Sequence, residues 1–145
     1  MAPLSTYLWP GKIQFGSGAS RLLAEEAAAL GAKSLFIMVD PGVRQAGLLE
    51  DVLAAASEAA LETIVYDEIV PNPDITCIND AAATFRESGA DLLTGCGGGS
   101  ALDAAKAVKL MAGGPPEASI EEYAGALGAE RRPYPRQQEM PPYIA

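Results

Sequence analysis

The chain has 145 residues, 10 of them basic and 19 acidic, for a formal net charge of −9. An acidic chain with no basic stripe excludes nucleic acid as a partner, and no apolar run approaches the ~20 residues of a membrane span, which excludes a membrane helix. Its length and 49% hydrophobic content fit a single globular domain over residues 1–145. Histidine is absent, so the commonest general base and the commonest transition-metal ligand are missing from these residues.

Met1 to Pro10 has neither the basic region nor the apolar stretch of a targeting signal. Cys77 and Cys96 fall in different predicted elements and form no CxxC, which reads as free thiols in a reducing cytoplasm. Each fits a small core residue, and Cys96, beside a glycine run, is alternatively an oxidation-sensitive thiol.

Lys12 to Phe15 alternates polar and apolar residues, the pattern of a half-buried strand. Gly16-Ser17-Gly18-Ala19-Ser20-Arg21 comes close to the dinucleotide GxGxxG pattern. Arg21 stands where the third glycine belongs and the preceding strand is short and amphipathic, so a plain strand-to-helix turn is expected. A helix with Leu22, Leu23, Ala27 and Leu30 on one face should end at Gly31.

Leu35 to Val39 is a continuous apolar run of the kind buried on both faces of a parallel sheet, closed by Asp40-Pro41-Gly42. A helix follows with Leu48, Leu49, Val52, Leu53 and Ala56 inward and Glu50 and Glu58 outward. Thr63 to Tyr66 reads as a third strand and Val70-Pro71-Asn72-Pro73 as a rigid extended loop. Asp74 then caps a helix carrying Ile78, Ala82 and Phe85, stopped by Gly89. Leu30-Gly31-Ala32-Lys33 and Ser88-Gly89-Ala90-Asp91 look alike, and each precedes a buried strand. That rhythm of helix, glycine stop and strand gives an α/β fold with a mostly parallel, Rossmann-like sheet.

After the strand around Leu92 and Leu93 comes Gly97-Gly98-Gly99-Ser100, with Ser100 opening an alanine-rich helix. The first amides of a helix have no intrahelical acceptor and carry the positive end of its dipole, so a phosphate can approach bare backbone donors there. From Gly113 to Pro142 the chain holds six of its eleven prolines and reads as a long loop, with a short helix around Ser119 to Tyr123. Pro142 to Ala145 reads as the beginning of another strand, an ending expected of a truncated domain.

Three features fall at carboxyl ends of strands, where open α/β sheets bind ligands: Asp40, Asn72 and the glycine turn. A carboxylate at Asp40 could accept both ribose hydroxyls of an adenosine, favouring NAD over NADP. Asp-Pro-Gly is equally a common turn. Asn72 is a turn residue between two prolines or an amide that meets a cofactor. Asp103 and Lys106 form an i,i+3 surface pair, or else Asp103, one turn from the phosphate site, touches the cofactor.

Gly97 to Lys106 resembles the GGGSxxDxAK signature of the iron-containing (group III) alcohol dehydrogenases, and Gly16-Ser17-Gly18-Ala19, Val39-Asp40-Pro41-Gly42 and Pro71-Asn72-Pro73 extend the resemblance at the family's spacings up to about Lys109. Ser100 and Asp103 separate it from glycerol dehydrogenases, which tend to have Lys at the first position, and from maleylacetate reductases, which usually lack the aspartate. The resemblance implies an N-terminal NAD(P)-binding domain followed by a helical domain that holds iron or zinc through one aspartate and three histidines, in a homodimer acting on a small alcohol or aldehyde. It also implies that Asp40 contacts the adenine ribose, Asn72 the cofactor and Gly98 to Ser100 the pyrophosphate, with Asp103 lining the same cleft. No metal ligand carries over. The alternatives are a stand-alone dinucleotide-binding module without redox activity, or a related NAD-using enzyme of the glycerol dehydrogenase or dehydroquinate synthase kind.

Overall fold

The computed structural model describes residues 5–8, 11–125 and 130–145. Four parallel strands, β3 (Ser34–Val39), β4 (Glu62–Tyr66), β5 (Leu92–Cys96) and β6 (Tyr143–Ile144), lie in the order β4-β3-β5-β6. Helices α1 (Leu23–Ala29) and α3 (Glu50–Glu58) cover one face of this sheet. On the other face pack α4 (Ile75–Ser88) and α5 (Gly99–Ala112), with the short α6 (Ile120–Ala124) beside α4. The expected α/β, mostly parallel architecture is therefore present.

β3 explains why the sheet is buried on both sides. Leu35, Ile37 and Val39 enter the core under α1 and α3, while Phe36 and Met38 enter the core under α4 and α5. Each such side chain stabilises by about 1.5–3 kcal/mol relative to remaining in water. Phe36 stacks on Tyr66 at 5.7 Å and meets Phe85 edge-on at 5.4 Å, tying β3 to β4 and α4.

The two look-alike segments before β3 and β5 are bonded to each other. Gly31 (φ 75°) and Gly89 (φ 66°) take the left-handed conformation that ends a helix. Just beyond them the Asp91 carboxylate accepts from the amides of Lys33 (3.0 Å) and Ser34 (3.0 Å), and the Asp91 amide donates to Ser34 Oγ (3.1 Å). Burial works against ionisation of Asp91, but the amides of Ser34 and Lys33 and the Ser34 hydroxyl outweigh it and hold the pKa below the ordinary carboxylate value.

Several sequence expectations need correction. Lys12–Phe15 does form a strand, β2, but it pairs antiparallel with β1 (Ser5–Leu8) in a separate two-stranded sheet, and β1 has no counterpart in the sequence reading. Its alternating residues do not face the core: Ile13 is 51% and Phe15 76% exposed. The helix expected with Leu48 inward is α3, which buries Val52 and Ala56 but begins only at Glu50: α2 (Pro41–Gln45) ends ahead of Gly47 in the left-handed region (φ 71°), and the turn there leaves Leu48 66% exposed. Leu30 lies past the last turn of α1 as its C-cap and is exposed.

The proline-rich stretch expected as a loop over 113–142 carries more structure than its composition indicates. Ser119 caps α6 and Glu122 reaches back to the Ser119 amide (2.9 Å). Asn79 of α4 bonds both the Ser119 hydroxyl (3.0 Å) and the Ile120 amide (3.0 Å). Tyr123 is buried, and a 3-10 turn at Gln137–Glu139 leads into β6, the strand expected at Pro142–Ala145. Residues 126–129 of that stretch lie outside the described residues.

Candidate functional site

The chain leaves β3 for β4 on one side and then crosses back to β5 on the other, so the strand order reverses between β3 and β5. Open α/β sheets receive ligands outside the carboxyl ends of the strands at such a point. Here Val39 is paired with Cys96, and the next residues, Asp40 and Gly97, stand side by side.

Their proximity requires a glycine. Gly97 has φ 136°, a conformation side-chain-bearing residues rarely adopt, and a Cβ there would lie 2.7 Å from Asp40 Cβ and 3.3 Å from Ala101 Cβ. The Asp40 amide donates to Cys96 O at 3.0 Å and fixes the two ends together. Gly98 and Gly99 differ, since a Cβ on either would meet nothing within 4 Å. One glycine serves the chain's own packing, and the next two keep a space open.

Asp40 does more than turn the chain. With Pro41 in the first helical position, its Oδ1 accepts from the amides of Gly42 (2.8 Å) and Val43 (3.3 Å) and caps α2. Both bonds fall on Oδ1, and Oδ2 meets no donor among the described residues.

The α5 start corrects the reading of Ser100 as the residue that opens the helix. Gly98 is the N-cap, without a side-chain bond, and Ser100 is the second helical residue. The first intrahelical bond runs from the Leu102 amide to Gly98 O (3.1 Å), which leaves the amides of Gly99, Ser100 and Ala101 without a helical acceptor. Ser100 Oγ accepts instead from the Asn72 amide (3.3 Å), and Asn72 sits in the left-handed region (φ 53°) that asparagine tolerates better than most residues. The loop after β4 is thereby tied to the phosphate-type turn after β5.

Asp40, Gly97, Ser100 and Asn72 thus gather on one edge of the sheet, along with Gly98 and Gly99. Asp103 bonds Lys106 at 2.9 Å as an exposed i,i+3 pair, one of the two readings its spacing allowed. Beside it, burial pushes the Tyr143 phenol up, with the Asp103 charge adding to the effect. The Tyr143 hydroxyl reaches Leu102 O (3.4 Å) and would stand 2.9 Å from a Cβ on Gly95.

Both cysteines are half-buried and free, and burial pushes the Cys96 thiol up, which favours the unreactive thiol over the thiolate. Sequence reasoning missed the ion pair between Arg44 of α2 and Asp67, the residue after β4. The available signal was that Arg44 is the one Lys or Arg between positions 34 and 85. Among the described residues no three His, Cys, Asp or Glu side chains form a group that could hold a metal ion, and no helix is long and apolar enough to cross a membrane.

A sequence model of the family described as iron-containing alcohol dehydrogenase matches residues 10–145. The chain is 31% identical over 142 residues, 98% of its length, to a choline dehydrogenase of Bacillus subtilis, and 34% identical over 111 residues, 77% of its length, to a lactaldehyde reductase of Escherichia coli. It covers 34% and 29% of those two proteins, about a third of their length. Among solved structures, sulfoacetaldehyde reductase from Bifidobacterium kashiwanohense in complex with NAD+ superposes with a TM-score of 0.75 at 27% identity, over 90% of this chain and 32% of that one.

Proposed function

The chain belongs to the iron-containing alcohol dehydrogenase family, and from that premise we propose that its 145 residues form the dinucleotide-binding domain of an enzyme that passes hydride between NAD(P) and a small alcohol or aldehyde. The observation that carries the reading is the contact of Asp40 with Gly97 at the reversal point of the sheet.

When bound, NAD(P) would accept the hydride from an alcohol or give it to an aldehyde, and the residues here would do the holding. The amides of Gly99, Ser100 and Ala101, at the positive end of α5, receive the pyrophosphate through the space kept open at Gly98 and Gly99. Ser100 Oγ already accepts a bond from Asn72, so its own proton is available for a phosphate oxygen. Asp40 Oδ2 accepts from the adenine ribose hydroxyls and disfavours a further phosphate there, which makes NAD the preferred cofactor. Asn72 and Asp103 border the same cleft. The family's divalent metal finds no ligand set among the described residues. The relatives named for choline, lactaldehyde and sulfoacetaldehyde support an alcohol or aldehyde as the substrate class.

Titration calorimetry with NAD is the direct test. The reading expects saturable one-site binding that Gly97→Ala abolishes. Absence of NAD binding by the unmodified, folded protein would overturn it.

A further inference from the structure

A second acidic residue lies at the same sheet edge and is not accounted for by holding NAD. Asp67 follows Tyr66, which is in register with Met38, so Asp67 sits level with the end of β3 and beside the strand that delivers Asp40. Its carboxylate is paired with the guanidinium of Arg44, and Arg44 belongs to α2, the helix whose first amides Asp40 caps. Arg44 and Asp67 thus form an ion pair between α2 and the end of β4, while the Asp40 carboxylate caps the same helix through the Gly42 and Val43 amides. Arg44 is the one cationic side chain between positions 34 and 85, so no other Lys or Arg on these strands or on α2, α3 and the loop after β4 can meet an anion there.

We propose that Asp67 is a positioning residue for cofactor choice: by holding Arg44 it withholds the one guanidinium at this edge from the ribose phosphate that distinguishes NADP from NAD. The inference rests on the reading of this edge as the adenosine site and extends it to a residue pair. The chemistry is that of a guanidinium with two alternative acceptors. A phosphate binds the guanidinium fork as well as a carboxylate does and carries more charge, but Asp67 is attached to the fold and needs no association step. With Asp67 in place, an incoming phosphate faces two carboxylates and a neutralised arginine. With Asp67 made neutral, it faces one carboxylate and an available arginine. Both side chains of the pair are partly exposed, at 48% and 39%, so the guanidinium can turn toward a ligand without unpacking the core.

The test compares NAD and NADP affinities by calorimetry at fixed, low ionic strength for the unmodified protein, Asp67→Asn, and Asp67→Asn combined with Arg44→Met. Asp67→Asn is expected to tighten NADP on the order of tenfold relative to NAD, the size of a charge-assisted phosphate contact near a surface. The double variant should return the ratio to near its starting value, and added salt should shrink the effect. An unchanged ratio in Asp67→Asn, with NAD binding intact, overturns the proposal. So does a gain that survives Arg44→Met, which would make Asp67 a repelling charge only. Failure of the unmodified protein to bind NAD overturns the adenosine-site reading itself, and the role of Asp67 with it.

Discussion

Gly97 and Asp40 are packed so closely that Gly97 can carry no side chain: its missing Cβ would overlap Asp40 Cβ at 2.7 Å. Gly97→Ala must therefore distort the backbone, leave the φ of 136°, or separate β3 from β5 at the end where the cleft lies. A loss of about 1–3 kcal/mol in stability is expected, with loss of NAD binding beyond it. Gly99→Ala meets open space, so stability should hold within about 0.5 kcal/mol while NAD affinity falls, because the methyl enters the space left for the pyrophosphate. Urea melts and calorimetry on both variants separate the two roles. Equal stability losses would remove the distinction between the glycines.

Asp40 holds α2 through one carboxylate oxygen. Asp40→Asn keeps that acceptor and Asp40→Ala does not, so the alanine variant should lose about 1 kcal/mol and the asparagine variant much less. Both remove the charge opposed to a ribose phosphate, so both should lower the NAD-over-NADP preference. Paired binding curves and melting curves check this. A preference unchanged in both variants would sink the assignment of Asp40 to the ribose.

Gly95 lies beneath Tyr143. Gly95→Ala would meet the Tyr143 hydroxyl at 2.9 Å, Ala105 Cβ at 3.2 Å and Leu102 Cδ2 at 3.2 Å, an overpacking expected to cost about 1–3 kcal/mol. Tyr143→Phe removes the nearest of these atoms. A double-mutant cycle in urea should show the alanine tolerated better in the phenylalanine background. Additive effects would mean that Tyr143 moves aside freely.

Asp91 makes the fold sensitive to acid. Its pKa is depressed in the folded state, so its contribution is complete above the ordinary value of 3.8 and is lost as pH falls through the depressed folded value. The gap in urea midpoint between the unmodified protein and Asp91→Asn should be wide at pH 7 and narrow as the pH falls below the ordinary value of 3.8. A gap that does not change with pH would show that the carboxylate charge is irrelevant to the contact.

The sequence displayed what depends on periodicity and on glycine. Leu35 to Val39 is apolar at every position because both of its faces are covered, and Gly31 and Gly89 end helices because they adopt positive φ, so the fold class and two of its junctions were readable. What stayed hidden depends on partners distant in the chain. Lys12–Phe15 has a strand's alternation, but nothing within it says whether a core or solvent lies beneath. The proline-rich segment is ordered by Asn79, some forty residues earlier, to which no local pattern points. In the site, Asp40 and the glycine turn were recognisable by position, whereas their contact follows from the register of β3 and β5. Ser100 looked like a cap because serine so often is one; Gly98 took that place, and the hydroxyl went to Asn72.

The bonds between Asp91 and the start of β3 have a metrical consequence. They fix β5 against β3 at the amino ends, and six residues of β3 at about 3.3 Å each carry that alignment roughly 20 Å to the opposite edge. Side chains alternate along a strand, so a slip of one residue would bring Cys96 or Gly98 beside Asp40 in place of Gly97. A dinucleotide is a molecule of set length, and the edge proposed to receive it is measured out from its far end, with Asp91 as the zero mark of the ruler.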